Sequence, residues 1–471
     1  MLTPLLDPQS DIPLYEQLYR HVKGEITAGR LCAGTRLPSK RALAAHLKVS
    51  VVTVEGAYGQ LLAEGYLRSE PKRGFFVQSV GAPAPAQAPA APGPVAREAP
   101  AAPLRYDFTT GGVDTGRFPF ATWARLMREV LSEQDSALLQ STHPQGAPRL
   151  RRAIAGYLHD FRGITAHPDQ VVVGAGSEYL TGLLFQLLGR DGGYAAEDPG
   201  YPKFHRILAH EGALVCPIPM DEGGLRVDAL RWSGARVAHV TPSHHFPLGT
   251  VMPVGRRREL LSWAEEAPNR YIIEDDYDSE FRFSGRPIPA LQSLDRSERV
   301  IYLNTFAKSL APSLRISFLV LPPHLLERYR REFLFYSSTV PSFEQYALAR
   351  FLEGGHFERH VARMRTGYKA RKEALMAAAR RWGAAAGPEA FSGADAGLHL
   401  LLRVDSPLDE AELERRARKA GVGVYPLSAY RLTPPARPGP PTLVMGYARL
   451  EAEDMDPAFR LLSEAWALAG G

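Results

Sequence analysis

Residues 79–103 (SVGAPAPAQAPAAPGPVAREAPAAP) are almost wholly Ala, Pro and Gly, and this run constrains the chain more than any other feature. With no aromatic residue and nothing aliphatic larger than valine, it contributes nothing to a core. Pro-rich segments favour extended polyproline geometry at about 3.1 Å per residue, so this one can hold its neighbours up to roughly 75 Å apart. The reading that follows is an N-terminal domain at 1–78, an Ala/Pro-rich linker at 79–105 and a C-terminal domain at 106–471. A length of 471 residues also exceeds what one hydrophobic core usually serves.

Ahead of the spacer the pattern predicts three helices and a hairpin. Leu14, Leu18, Val22 and Ile26 recur every four residues, one stripe of an amphipathic helix that Gly29 ends. Ser39 is the expected N-cap of a short helix through Leu47, and Ser50 of another running to Gly65. Strand-like Tyr66–Arg68 and Phe75–Val77 flank the polar turn Glu70–Gly74, a hairpin wing. In a helix-turn-helix the second helix enters the major groove, which assigns Ser50, Val51 and Thr53 to base edges. Ser39, Lys40 and Arg41 on the preceding helix, with Lys72, Arg73 and Gly74 on the wing, are the expected phosphate contacts. The net charge of +5 is a weak guide beside 56 basic and 51 acidic side chains, so the argument rests on placement.

The whole stretch from Pro13 to Val77 resembles a GntR-type winged-helix domain, most specifically in LPSKRALA, VSVVTV, AYGQLLAEGYL and FFV. The resemblance implies binding to a double-stranded DNA operator. That family usually carries Arg after the Ser that opens the recognition helix, where this chain has Val51. An apolar contact to a thymine methyl is one replacement for it.

After the spacer, strand-like runs at Val171–Val173, Gly193–Glu197, Val237–Thr241, Tyr271–Asp275, Val300–Asn304 and Ser317–Leu321 alternate with long helical patterns. This predicts an α/β, doubly wound, mostly parallel sheet. Further strands at Gly397–Val404 and Thr442–Tyr447 mark a smaller C-terminal α+β subdomain. Ligands of open α/β sheets gather at the carboxyl ends of the strands. Asp275 closes one strand and Lys308 follows another, so neighbouring strands would bring a carboxylate and an amine into one crevice. That pair suits pyridoxal 5'-phosphate, with Lys308 forming the Schiff base and Asp275 on the pyridine nitrogen. Arg315, and Gly176 with Ser177 at a helix N-terminus, would hold the phosphate. Tyr201 offers an aromatic face to the ring, and Tyr277 a hydrogen bond to its hydroxyl.

Residues 106–471 resemble a fold-type I aminotransferase throughout, notably in HPQGAPRLRRAIAGYL, GAGSEYL, EDPGYP, IIEDDYDSEF and TFAKSLAPSLRIS. TPSHHFPLG and EDDYDSEF are similar to the forms seen in MocR-type regulators, the GntR subfamily that fuses this fold to a winged helix. Two departures from true aminotransferases stand out: Phe246 in place of an Asn that touches the ring hydroxyl, and Val444 in place of an Arg that grips a substrate α-carboxylate. The resemblance implies a homodimeric regulator whose operator binding responds to pyridoxal phosphate or to an amine or amino acid that reacts with it. No catalytic residue is assigned. The rivals are a working aminotransferase with an appended DNA-binding domain and a cofactor-storing protein without a switch.

No metal site is expected: His356 and His360 form HxxxH without the Glu of HExxH, His244 and His245 read as cavity wall, and the two cysteines are far apart. With no apolar run of roughly 18 residues and no export signal in the opening residues, the expectation is a cytoplasmic protein without a membrane contact.

Overall fold

A computed structural model of the chain describes residues 4, 6–80, 103–133, 135–283, 288–434 and 439–468. Most of the Ala/Pro linker, residues 81–102, lies outside the described residues. The chain forms two compact units, Met1–Ala101 and Ala102–Gly471.

The first unit runs α1 (Leu14–Thr27), β1 (Arg36–Leu37), α2 (Lys40–Leu47), α3 (Val51–Ala63), β2 (Leu67–Glu70) and β3 (Gly74–Val77). The four-residue spacing of α1 buries Leu18, Val22 and Ile26 in one core with Val54, Ala57, Tyr58 and Leu61 of α3, while Leu14 stays half-buried. Ser39 and Ser50 cap α2 and α3, accepting from the backbone N–H of Ala42 at 3.2 Å and Thr53 at 3.1 Å. The first wing strand starts one residue later than expected and continues to Glu70, which narrows the turn to Pro71–Arg73 with Lys72 in the left-handed region (φ 61°). A third strand, β1, pairs antiparallel with β3, an addition that two residues ahead of Pro38 do not advertise.

The second unit begins with β4 (Tyr106–Asp107), α4 (Phe120–Ser132) and α5 (Pro148–Arg162). Then come β5 (Val171–Gly174), α6 (Ser177–Leu188), β6 (Gly193–Asp198), α7 (Pro202–His210), β7 (Val215–Asp221), β8 (Gly224–Leu225), α8 (Val227–Trp232), β9 (Ala235–Val240), α9 (Val254–Glu265), β10 (Tyr271–Asp275), β11 (Val300–Thr305) and β12 (Ser317–Val320). These strands form one sheet in the order β5-β12-β11-β10-β9-β6-β7-β8. Its centre, β11 through β7, is parallel, while β12 runs antiparallel to both β11 and β5. Helices cover both faces: α5 packs with Val171 and Val173 of β5, and α6 with Val172. That alternation along one strand is what a sheet buried on both sides requires.

The six expected strands all occur, Tyr271–Asp275 with the expected bounds and the others with one or both ends displaced by one or two residues. The seven-residue β7 was not expected because its sequence, VCPIPMD, carries Pro217 and Pro219. It pairs with β6 on one side and with β8 through Met220 and Asp221 alone, so it is an edge strand for most of its length, where proline is tolerated.

The C-terminal part continues with α10 (Pro323–Glu332), α11 (Ser342–Glu353), α12 (His356–Arg381), β13 (Phe391–Ser392), β14 (His399–Arg403), α13 (Glu410–Lys419), β15 (Val422–Gly423), β16 (Tyr425–Pro426), β17 (Thr442–Gly446) and α14 (Ala452–Trp466). A four-stranded sheet, β13-β14-β17-β16, packs with α12 and α14 around its own core. No described helix is long and apolar enough to cross a membrane.

Each unit therefore has a core of its own, and damage to one is expected to stay there. Leu61→Ala empties a fully buried site in α3, a change that costs about 2–5 kcal/mol. Differential scanning calorimetry of the full chain should show the winged-helix transition falling while the transition of the larger unit holds its temperature.

Candidate functional site

Strands β5, β6, β9, β10 and β11 end along one edge of the large sheet, and β12 begins there: Asp275 pairs with Leu303, Thr305 with Ser317, and Ser317 with Gly174. The segments leaving this edge wall a cavity of about 380 Å³. Gly176, Ser177, Tyr201, Asp275, Tyr277, Lys308 and Arg315 all line it. The sheet register thus brings together seven residues spread over 140 positions of sequence.

Lys308 follows β11, and its Nζ donates to the backbone oxygen of Thr110 at 2.8 Å. Burial pushes its amine down to about 8; Lys203 adds to the effect and Asp278 opposes it. Asp275 faces His239, with Nε2 and Oδ2 3.3 Å apart, and the His239 ring is stacked on Phe204 at 3.7 Å. Burial, then the charges of Asp278 and Asp275, hold the Tyr277 phenol well above its ordinary range, so it stays a hydrogen-bond donor.

At the other end, Gly176 sits at φ 98° and caps α6. A Cβ there would stand 2.2 Å from Arg315 Nη2, so glycine is what lets the guanidinium lie over the helix N-terminus. Arg315 is itself left-handed (φ 52°) and pairs with Glu178 at 2.5 Å; Lys203 reaches the same carboxylate at 3.1 Å. Burial works against the Glu178 charge, but Arg315 and Lys203 hold its carboxyl down at about 2. Two cations, shared with Glu178, and a helix N-terminus gather at this end, a set of donors suited to an anion.

The donor set fits pyridoxal phosphate: an amine with lowered basicity, a carboxylate at a strand end, a cradle that only glycine leaves open, and the Tyr201 ring on the wall. Phe246 also lines the cavity, its ring edge-on to Tyr201 at 5.9 Å and to Tyr430 at 5.2 Å. Val444 does not reach it; it is fully buried with Leu401 and Leu427 in β17.

Several lining residues carried no sequence signal. Thr110, His399 and Tyr430 arrive from segments far from the large-sheet strands, so only folding makes them neighbours. His244, expected as wall, is instead tied into a buried cluster: its Nδ1 lies 3.0 Å from Asp278 Oδ2 and 3.2 Å from the Tyr277 hydroxyl, while His399 Nε2 donates to Pro247 O at 2.9 Å. His244, Asp278 and His399 place donor atoms within 4.8 Å of one another; hydrogen bonds engage His244 Nδ1, Asp278 and His399 Nε2, while His244 Nε2 is buried without a partner. His356 and His360 part company, the first against Arg125 and Arg359, the second on Ser309 O at 2.9 Å.

In the winged unit, Lys40 pairs with Glu55 at 2.5 Å and lies over the Phe75 ring. Arg41 and Lys72 are exposed, Arg73 pairs with Glu70, and Gly74 opens β3 at φ 114°. Val51 is exposed at the start of α3, whereas the hydroxyls of Ser50 and Thr53 bond each other at 2.8 Å.

The model for bacterial regulatory proteins of the gntR family matches residues 14–77, and that for aminotransferases of class I and II matches residues 107–459. An uncharacterised HTH-type transcriptional regulator of Bacillus subtilis, YdeL, is 39% identical over 99% of this chain and 100% of its own. The probable rhizopine catabolism regulatory protein MocR of Rhizobium meliloti is 37% identical over 98% of this chain and 95% of its own. Among solved structures, the multiple substrate aminotransferase of Thermococcus profundus superposes with a TM-score of 0.67 at 26% identity, covering 78% of this chain and 92% of that one. With both parts of the chain matched and full-length relatives that share the fusion, the protein belongs to the MocR-type subfamily of GntR transcription regulators, a winged helix-turn-helix joined to a fold-type I aminotransferase-like domain.

Proposed function

We propose that this regulator holds pyridoxal phosphate in the cavity on Lys308 and that its operator affinity responds to the cofactor or to an amine or amino acid reacting with it. The observation that carries the proposal is the convergence of Lys308, Asp275, Tyr277, Tyr201, Arg315 and the Gly176–Ser177 helix start on one cavity, in a chain that also carries a winged helix. When bound, pyridoxal phosphate supplies an aldehyde that condenses with primary amines. Around it the protein's own groups divide the work. Asp275 would pair with the ring nitrogen, Tyr277 would donate to the ring hydroxyl, Tyr201 would offer its ring to one face, and Gly176, Ser177 and Arg315 would hold the phosphate. Lys308, with its pKa near 8, has an appreciable neutral fraction at physiological pH, as a nucleophilic amine requires.

Turnover as an aminotransferase is the second reading, and the intact cofactor set favours it. Against it stand apolar Phe246 and Val444, in the positions where an Asn and an Arg serve the enzymes. A charge-assisted pair of the kind such an Arg makes is worth on the order of 1.5–3 kcal/mol. On the DNA side, Lys40, Arg41, Lys72, Arg73 and Gly74 contact phosphates, Ser39 and Ser50 set the helix starts, and Val51 and Thr53 face the groove. A cytoplasmic homodimer would present two such modules to two half-sites, and sedimentation as a monomer at micromolar concentration would count against it.

Three measurements check the reading. Purified protein with added cofactor should form a borohydride-reducible lysine adduct that Lys308→Ala abolishes; a reducible adduct in that variant would overturn the assignment. The rate of adduct formation should climb as pH rises through about 8, the point where the amine loses its proton, and not near the ordinary lysine value of 10.5. Finally, titrating a DNA duplex selected by the protein at fixed salt should show affinity shifting about 5–150-fold when cofactor is added to the apo form, with most of the shift lost in Lys308→Ala. Identical isotherms with and without cofactor and across candidate amines would remove the sensor function.

A further inference from the structure

Helix α3 is the element that the winged-helix arrangement aims at the base edges, yet its sequence, VVTVEGAYGQLLA, contains no basic residue. The buried side of the helix is Val54, Ala57, Tyr58 and Leu61. What its first turn presents outward is apolar: Val51 is 41% and Val52 75% exposed. Leaving two valines in water at a helix start has no packing reason, since neither belongs to the core of the unit. The polar groups beside them are engaged with each other in the helix cap, because Ser50 Oγ accepts from Thr53 N at 3.1 Å and bonds Thr53 Oγ1 at 2.8 Å. One turn on from Val51, Glu55 brings a carboxylate, an acceptor that the O6 and N7 acceptors of guanine repel. The cations lie outside the helix: Lys40 and Arg41 on α2, Lys48 at its end, and Lys72 and Arg73 on the wing.

Resting on the DNA-binding reading, we infer that the chain separates the two tasks of recognition: the flanking cations hold phosphates, and Val51 and Val52 read thymine through its C5-methyl group in the major groove. Thymine is the base whose major-groove edge offers an apolar group, so it is the one that desolvated valine methyls distinguish from cytosine, adenine and guanine. A half-site read this way has thymine at the positions under the first turn of α3, and it lacks the guanine that an arginine at position 51 would take. Each methyl buried between valine and base is worth about fourfold in affinity.

The test uses the full chain at fixed salt. Duplexes are enriched from a randomised library, and each thymine of the winning half-site is replaced in turn by deoxyuracil, which removes the methyl and nothing else. At one or two positions the replacement should weaken binding about fourfold per methyl. Val51→Ala and Val52→Ala should erase that difference at their own positions. Their salt dependence should match the parent, because no cation has been removed. Lys72→Ala should do the reverse, flattening the salt dependence while keeping the preference for thymine. Both valines are exposed, so neither alanine disturbs the core. Deoxyuracil duplexes that all bind like the parent, or a Val51→Ala/Val52→Ala double variant that still discriminates, would overturn methyl reading while leaving DNA binding intact. Failure to enrich any duplex would instead strike at DNA binding itself.

Discussion

Two of the segments that wall the cavity are held from behind by one buried guanidinium. Arg162, the last residue of α5, ion-pairs with Asp276 at 2.7 Å, and both side chains are essentially inaccessible. Its Nη2 donates to Ser243 Oγ at 2.8 Å and its Nη1 to Ile288 O at 2.6 Å. The same group thus fixes the segment after β9, which bears His244 and Phe246, and the segment after β10, which follows Asp275 and bears Tyr277. Removing one partner of such a pair leaves a buried charge uncompensated, at a cost of about 3–5 kcal/mol. Around it, burial and the Asp276 charge push Glu274 up to about 7, and burial does the same to Glu280. The region behind the cavity is a buried block of acidic groups with the Arg162–Asp276 pair among them.

This buried support bears on how a signal would leave the site. A ligand held by strand ends and a helix N-terminus would have few soft elements to move. Coupling to DNA therefore has to come from a difference in affinity between arrangements of the whole protein. Its size is bounded by the differential binding of the effector to those arrangements.

Recognition in the winged unit follows the same economy. Several of its cations are shared with carboxylates, Lys40 with Glu55 and Arg73 with Glu70. Exposed pairs of this kind contribute about 0–1 kcal/mol, so they are easily exchanged for phosphate. The first turn of α3 exposes Val51 and Val52 and carries no cation.

Much of this was legible in the amino-acid order. The spacer composition divided the chain, the four-residue stripe of α1 identified its buried face, and Ser39 and Ser50 marked two helix starts that the structure uses as caps. Asp275, Lys308 and the other cofactor candidates could be named because ligands of open α/β sheets collect at strand ends, a local property. What sequence could not supply depends on partners distant in the chain. The prolines of β7 spoke against a strand until an open sheet edge made them harmless, and the antiparallel turn of β12 is decided by its two neighbours. Thr110 meets Lys308 across 198 residues, and the hydrogen bonds of His244 to Asp278 and Tyr277 exist because two separate strand ends lie side by side. Short-range pattern determined which residues begin, end and line the elements; the register of the sheet, a long-range property, decided which of them touch.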